Sequence, residues 1–320
     1  MVGPYLGPNA RRASFQLVTT LALLGGALWA IHAAASWSLL LGLVLAFPAA
    51  GLIIRTFVLM HDCAHGSFFP SRRMNDVVGF VTGVLTLTPF TQWRRDHALH
   101  HASSGDLDRR GNGDVPTLTV REYRERSPGR RLMYRIVRHP ASLLLVGPLQ
   151  VAFGQRFRGQ SSWAGSRRSA SVWATDAAIA GLITVSVMLL GWKSVLIAYG
   201  LPYYLAASMG VWLFYVQHQF EDAYWVPHVS WDYVEAALRG SSHLRLPQPL
   251  RWFTASIGFH HVHHVAPRIP NYRLQHCHEE NAMFQSSPTV TIRTGMAALR
   301  LALWDEEQNR LVAFRDVTAT

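Results

Sequence analysis

The sequence predicts an all-α integral membrane protein: four transmembrane helices paired as two hairpins, with a cytoplasmic helical cap. Three observations carry this reading. Four apolar blocks, at 15–35, 37–60, 172–190 and 194–216, are each long enough to cross a bilayer as a helix. Only 15% of the residues are charged, where soluble domains carry about a quarter. Apart from Arg55, the positive charge sits outside the blocks.

The blocks pair naturally. A polar stretch containing Arg11 and Arg12 precedes the first, only a few residues separate it from the second, and Gly191, Trp192 and Lys193 form the turn between the third and fourth. Asp176, near one end, is the single carboxylate within the blocks. Buried helices of a large soluble protein would not stay so free of charge. Residues 76–92 are apolar but too short for a span and suit a re-entrant or interfacial segment. The short piece Ala141–Phe153, inside the arginine-rich stretch 93–170, reads as an interfacial helix. Residues 217–320 are mixed and are expected to fold against the same surface. The chain thus reads as one domain, 1–320, with polar segments 61–170 and 217–320 on one side. The arginine density assigns that side to the cytoplasm, of a bacterial inner membrane.

The net charge is +11, and Lys193 is the only lysine. No nucleic-acid reader motif accompanies the charge, so anionic lipid is the expected partner. Arg94, Arg95, Arg109 and Arg110 are candidates for headgroup contact. Cys63 and Cys277 are too few and too far apart for a disulfide framework. The first apolar stretch is too long for a cleavable signal.

The 16 histidines are the chemical signature. His61-Asp-Cys-Ala-His65 follows the second block, His97-Ala-Leu-His100-His101 lies in the long polar segment, and His260-His261-Val-His263-His264 follows the fourth block at a distance. His218 stands at the end of the fourth block. On a helix, residues three and four apart share a face, so each cluster presents two or three imidazoles to one centre. Neutral imidazole is a ligand for iron, copper and zinc. So many imidazoles exceed the needs of one metal, which points to a di-metal centre, with iron first and copper second for O₂ chemistry. Asp62, Asp96, Glu221 and Asp222 are sequence neighbours available to orient the rings. His32 falls in the first hairpin, far from this boundary, and reads as structural.

With its motifs HDCAH, HALHH and HHVHH, in that order around four spans, the chain resembles the membrane fatty acid desaturase family. The runs WRRDHALHHASSGDLDRRGNGDVPTLTVREY and VQHQFEDAYW are similar to bacterial acyl-lipid desaturases of the Δ12 or ω6 type. The resemblance implies a non-haem di-iron centre with O₂ as co-substrate. Carried over, its ligands are His61, His65, His97, His100, His101, His260, His263 and His264. His218 matches an additional histidine that some members carry after the fourth span. His261 falls on a non-ligand position. No cytochrome b5 region or HPGG haem signature is seen, so a separate ferredoxin-like or cytochrome electron donor is expected. The substrate would be a membrane lipid or an acyl carrier, seated in a bent apolar tunnel with Trp93, Trp212, Tyr215 and Trp225 as candidate wall residues. Acyl hydroxylase, acetylenase and carotenoid ketolase are rival outcomes within the superfamily, although HxxxH spacing in the first motif leans towards acyl-lipid desaturation. A metal transporter or sensor would want polar groups near the middle of the spans, and these blocks nearly lack them.

Overall fold

The computed structural model describes residues 2–111, 113–154, 156 and 166–318, so 157–165 of the expected cytoplasmic segment lie outside the described residues. Four helices are long and apolar enough to cross a membrane: Ala10–Ala35 (α1), Leu39–Ala64 (α2), Ala170–Leu190 and Trp192–His218. Each contains most of an apolar block and extends past it. Apolarity marks where lipid ends, but backbone hydrogen bonding runs on, so α2 carries His61 within its last turn and is capped by His65. Asn9 caps α1 by accepting from the Arg12 amide at 3.0 Å. Ser38 caps α2 by accepting from the Leu41 amide at 3.3 Å, which fixes the first hairpin turn. The second turn needs Gly191, whose φ of 79° lies in the left-handed region. In the fourth span a π-helical turn, Leu196–Gly200, precedes Pro202 and accommodates the missing amide donor.

The apolar stretch 76–92 becomes parts of two 14-residue helices, Arg72–Leu85 (α3) and Phe90–Ser103 (α4), too short to cross. They pack beside α2, where Gly83 faces the Met60 sulfur and Gly79 lies under the Phe90 ring. The stretch expected to be an interfacial helix is helical over Ser142–Gly154, which meets the helix Pro128–Arg138 at a 65° bend, and the two together are long and apolar enough for a broken span. The Leu144 and Leu145 carbonyls accept from the Ser208 and Tyr204 hydroxyls at 2.9 and 2.8 Å, so this piece lies along the fourth span.

The cap is mostly helical, with five short strands among the described residues that the sequence did not foretell: β1 Leu118–Thr119, β2 His243–Arg245, β3 Thr289–Thr291, β4 Leu301–Asp305 and β5 Arg310–Ala313. β1 pairs parallel with β4, β4 antiparallel with β5, and β2 parallel with β3. Strands of two to five residues are too short to leave a readable alternation. Arg138 clamps cap to span. Fully buried, it donates to the carbonyls of Pro116 and Leu301, to the Tyr215 hydroxyl and to Gln219 Oε1, all within 3.0 Å.

The third histidine motif forms a six-residue helix, His260–Val265, far too short to persist alone. It is held in place by its surroundings. The Leu244 amide donates to the Gly258 carbonyl at 2.8 Å, Tyr233 Oη donates to the His264 carbonyl at 2.6 Å, and Val262 and Ile269 are wholly buried. Gly258 permits this approach, because a Cβ there would stand 2.5 Å from the Leu244 carbonyl oxygen. Gly258→Ala is therefore expected to cost about 1–3 kcal/mol through local overpacking. A thermal melt of the purified protein in detergent checks this; an unchanged Tm would show that the approach is not constrained.

Candidate metal centre

Four elements bring the histidines together. The last turn of α2 supplies His61 and His65, and α4 supplies His97, His100 and His101. The fourth span ends on His218, and the helix His260–Val265 supplies His260, His263 and His264. All nine converge, but not cluster by cluster. His61, His65, His97, His101 and His263 form one group; His100, His218, His260 and His264 form another. The ligand-type nitrogens within each group lie within 4.8 Å of one another. The groups adjoin, since the His101 ring stacks on His264 at 4.1 Å between centroids. Adjacent residues on α4 point into different groups, so the helix straddles both.

Orientation is set from outside. His100 Nδ1 lies 2.7 Å from Asp114 Oδ1, and His218 Nδ1 lies 3.1 Å from the Gly240 carbonyl. Both acceptors fix the proton on Nδ1 and leave Nε2 with its lone pair. Yet His100 Nε2 and His218 Nε2 stand only 3.1 Å apart, and His218 Nε2 and His260 Nε2 2.9 Å. His264 to His260, His101 to His97, and His263 to His101 repeat the pattern at 3.1 Å, always Nε2 to Nε2. Lone pairs aimed at each other repel. A cation between them removes the repulsion, and two ligands at right angles, each about 2.1 Å from one metal, would stand about 3 Å apart. His61 Nε2 and His65 Nε2 are buried and unpartnered. The donor set therefore fits metal, with one group of five imidazoles and one of four.

The carboxylate expectations divide. Asp62 Oδ1 is 3.3 Å from His61 Nδ1, and its Oδ2 accepts from the Asn271 amide and side chain at 2.7 and 2.8 Å, tying α2 to the helix Asn271–Glu280. Asp96 is half-buried on α4. Glu221 instead pairs with Arg310 at 2.8 Å near the surface, and Asp222 is exposed. These two follow His218 in sequence, but the helix ends at His218 and the chain turns away. Sequence reading missed Asp114. It lies 14 residues past His100 in a glycine-rich turn, where no periodicity connects the two. The Gly-Asn-Gly-Asp run is the only local signal.

Aromatic residues close the site. Trp93 stacks on His97 at 4.3 Å, and Phe214 lies 5.3 Å from both His100 and His218. Trp225 and Phe214 border a cavity of about 10 Å³ with Asp114 and His218, room for about one water. Tyr215 is fully buried and hydrogen-bonded to Arg138, and the Trp212 Nε1 is buried without a partner. His261 is fully buried; its Nε2 lies 2.9 Å from His278 Nδ1, outside both groups. His32 packs on Trp29, also away from them.

Burial pushes the imidazolium form of His97, His101, His260, His263 and His264 well below the ordinary range, and the neighbouring rings add to it. Burial likewise lowers His243, to about 4. The rings are neutral at neutral pH, as ligation requires. In the unfolded chain they titrate near 6.5. Below that value the unfolded state binds more protons than the folded one, so the stability present above about 6.5 is lost as pH falls towards the depressed values. The metal-free protein is expected to melt at progressively lower temperature between pH 7 and pH 5. A Tm that is flat or rises across that window would contradict the buried neutral rings.

A model of the family described as fatty acid desaturase matches residues 27–291. A "Fatty acid desaturase" of Bacillus subtilis is 40% identical over 319 residues, 99% of this chain and 90% of that one. An "Acyl-lipid omega-3 desaturase (cytochrome b5), endoplasmic reticulum" of Arabidopsis thaliana is 30% identical, covering 68% of this chain and 58% of that one. An "Omega-6 fatty acid desaturase, chloroplastic" of spinach is 27% identical over 68% of this chain and 48% of its own length. Four membrane-length helices and two histidine groups able to hold metal are what such an enzyme needs, and the chain belongs to the fatty acid desaturase family.

Proposed function

We propose that the chain introduces a double bond into a lipid-linked acyl chain, with Δ12/ω6-type selectivity, at a di-iron centre held by the nine histidines. His61, His65, His97, His101 and His263 would hold one iron, and His100, His218, His260 and His264 the other. The observation that carries this is the repeated Nε2-to-Nε2 opposition at 2.9–3.1 Å, above all between His100 and His218, whose protons are held on Nδ1; a shared cation relieves it. The two groups account for two ions rather than one, and an all-imidazole set that activates O₂ favours iron. Kinship with an enzyme named as omega-6 supports the regioselectivity, together with the sequence runs around the second motif.

Iron, when bound, supplies the O₂ activation that removal of an unactivated hydrogen demands. The balance is one –CH₂–CH₂– unit, O₂, two electrons and two protons giving –CH=CH– and two waters. The protein's own groups do the rest. Asp114, Asp62 and the Gly240 carbonyl hold the imidazole protons on Nδ1 and so keep Nε2 free. Trp93 and Phe214 flank the rings and exclude water from one side of each group. The tunnel for the acyl chain would run among the spans and the α3–α4 pair that surround these aromatics.

Two electrons per turnover come from a separate donor, ferredoxin-like or a cytochrome. A relative named for cytochrome b5 supports such a division of labour, and the net charge of +11 suits an acidic partner. The arginine-rich segments support an inner-membrane placement with the histidines on the cytoplasmic side and the whole chain, 1–320, acting as one unit.

Purified protein should contain about two irons per chain. Asp114→Ala should weaken metal retention roughly ten- to a hundred-fold, the usual effect of removing a carboxylate that orients a ligating histidine. His100→Ala should lose both iron and activity. Expression in a host whose lipids are only monounsaturated, followed by gas chromatography, should reveal a dienoic acid. An oxygenated lipid would assign hydroxylation instead, and full activity without iron would overturn the centre.

A further inference from the structure

Of the four arginines that sequence reading offered to lipid headgroups, three are tied to carboxylates within the fold. Arg94 pairs with Asp76 at 2.5 Å, Arg109 with Asp106 at 2.5 Å, and Arg110 holds both oxygens of Glu122 at 2.6 and 2.9 Å. The helix Pro128–Arg138 presents the opposite situation. Tyr134 and Arg138 face inward and are buried. Leu132, Met133, Ile136 and Val137 face outward, 43–60% exposed. A helix lying on a water-facing cap turns its apolar stripe to the core; this one turns it away.

Between that outward face and the protein body runs a groove of about 450 Å³, lined by Arg124, Arg131, Arg135, Tyr123, Leu132 and Val317. Arg131 and Arg135 are one turn apart on the same helix face. No carboxylate pairs with either among the described residues. Arg135 is steadied by donating Nε–H to the Tyr123 hydroxyl at 2.6 Å and by lying over the Phe314 ring at 5.2 Å. The groove thus offers preset guanidinium groups beside an exposed apolar stripe. Beyond its 65° bend, the chain continues into Ser142–Gly154, which exposes Leu145, Val146, Leu149 and Phe153 and lies along the fourth span. Four arginines in the first piece keep it out of hydrocarbon, and the apolar second piece enters it. The groove therefore lies at the level where acyl chains meet headgroups.

We propose that Arg131 and Arg135, with Arg124 at the rim, receive the phosphate of an anionic phospholipid headgroup, while Leu132, Met133, Ile136 and Val137 enter the outermost acyl layer. This rests on the membrane placement of the chain. The forked guanidinium matches a phosphate, and the neighbouring apolar stripe matches acyl chain, whereas an acidic soluble protein would satisfy only the charge. Arg138 ends the same helix and donates to Gln219, the residue after His218. A lipid held here steadies the helix that reaches the second histidine group.

The test uses the full chain in nanodiscs containing either phosphatidylglycerol or phosphatidylcholine with a photoreactive headgroup, and maps the adducts by mass spectrometry. Adducts within 124–138 should be strong with phosphatidylglycerol and weak with phosphatidylcholine. Losing two interfacial arginines in Arg131→Gln/Arg135→Gln should cut them roughly ten- to thirty-fold. Arg131→Lys/Arg135→Lys should keep much of the labelling, and unchanged metal content in both variants excludes misfolding. An acyl-chain photoprobe labelling Ala170–Leu190 in parallel keeps the membrane placement separately visible. Equal labelling by both lipids, or none lost on substitution, overturns the proposal. So does full competition by millimolar inorganic phosphate, which would mark a free-phosphate site, or protection by an acidic ferredoxin without any lipid adduct, which would mark a protein partner.

Discussion

The structure depends on opposing nitrogen lone pairs. Nine imidazoles are gathered in a mostly buried space, and the Nε2 atoms of seven of them face one another at about 3 Å. Where both protons are held on Nδ1, as for His100 and His218, that arrangement is repulsive without a cation, and protonating the rings is no relief because burial opposes the charged form. The surrounding fold must therefore impose it. Four of the rings are held from outside: His61 by Asp62, His100 by Asp114, His218 by the Gly240 carbonyl and His97 by the stacked Trp93. Three of the four carrying elements are fixed in turn: α2 through Asp62 and Asn271, the fourth span through Arg138, the third motif through β2 and Tyr233. The site is preorganised at a cost in intrinsic stability that metal binding would recover.

That constraint explains why the cap contains more than helices. Two of the four carrying elements are the ends of candidate spans, but His260–Val265 is a short helix with no span to anchor it. The β2 strand, paired with β3 and bridged to Phe259, gives it a rigid floor. The β1–β4–β5 sheet does the same for the segment carrying Asp114, through Arg138 and Tyr134, whose hydroxyl donates to the Ala302 carbonyl. Short strands buried in this way add stiffness without adding length.

Much of this was legible in the sequence, and for identifiable reasons. The spans follow from block length, and the ring faces follow from i, i+3 and i, i+4 spacing, both local properties. His218 was visible because a span ends there. The partition of the rings was not legible. Neighbours such as His100 and His101 point to different groups because α4 passes between them, a fact of packing rather than spacing. Asp114 was invisible for the same reason, as was the misassignment of Glu221 and Asp222: an orienting carboxylate is chosen by where a turn lies in space. The arginines teach the converse. Composition suggested anionic lipid for all of them alike, but only the fold separates Arg94, Arg109 and Arg110, neutralised by internal carboxylates, from Arg131 and Arg135, which are not.

The two kinds of arginine also divide the labour of the polar face. Paired arginines brace loops: Arg110 joins Glu122 and the Thr117 carbonyl, closing the turn that presents Asp114 to His100. An unpaired arginine at an interface does no such bracing and would be strongly hydrated unless an anion met it. Its retention beside an outward apolar stripe is an inexpensive arrangement only where lipid supplies both the anion and the acyl surface. The same chain segment then runs, through Arg138 and Gln219, to His218. The helix proposed to meet the bilayer is thus tied, by the buried hydrogen bonds of Arg138 to Tyr215 and Gln219, to the end of the span that carries His218.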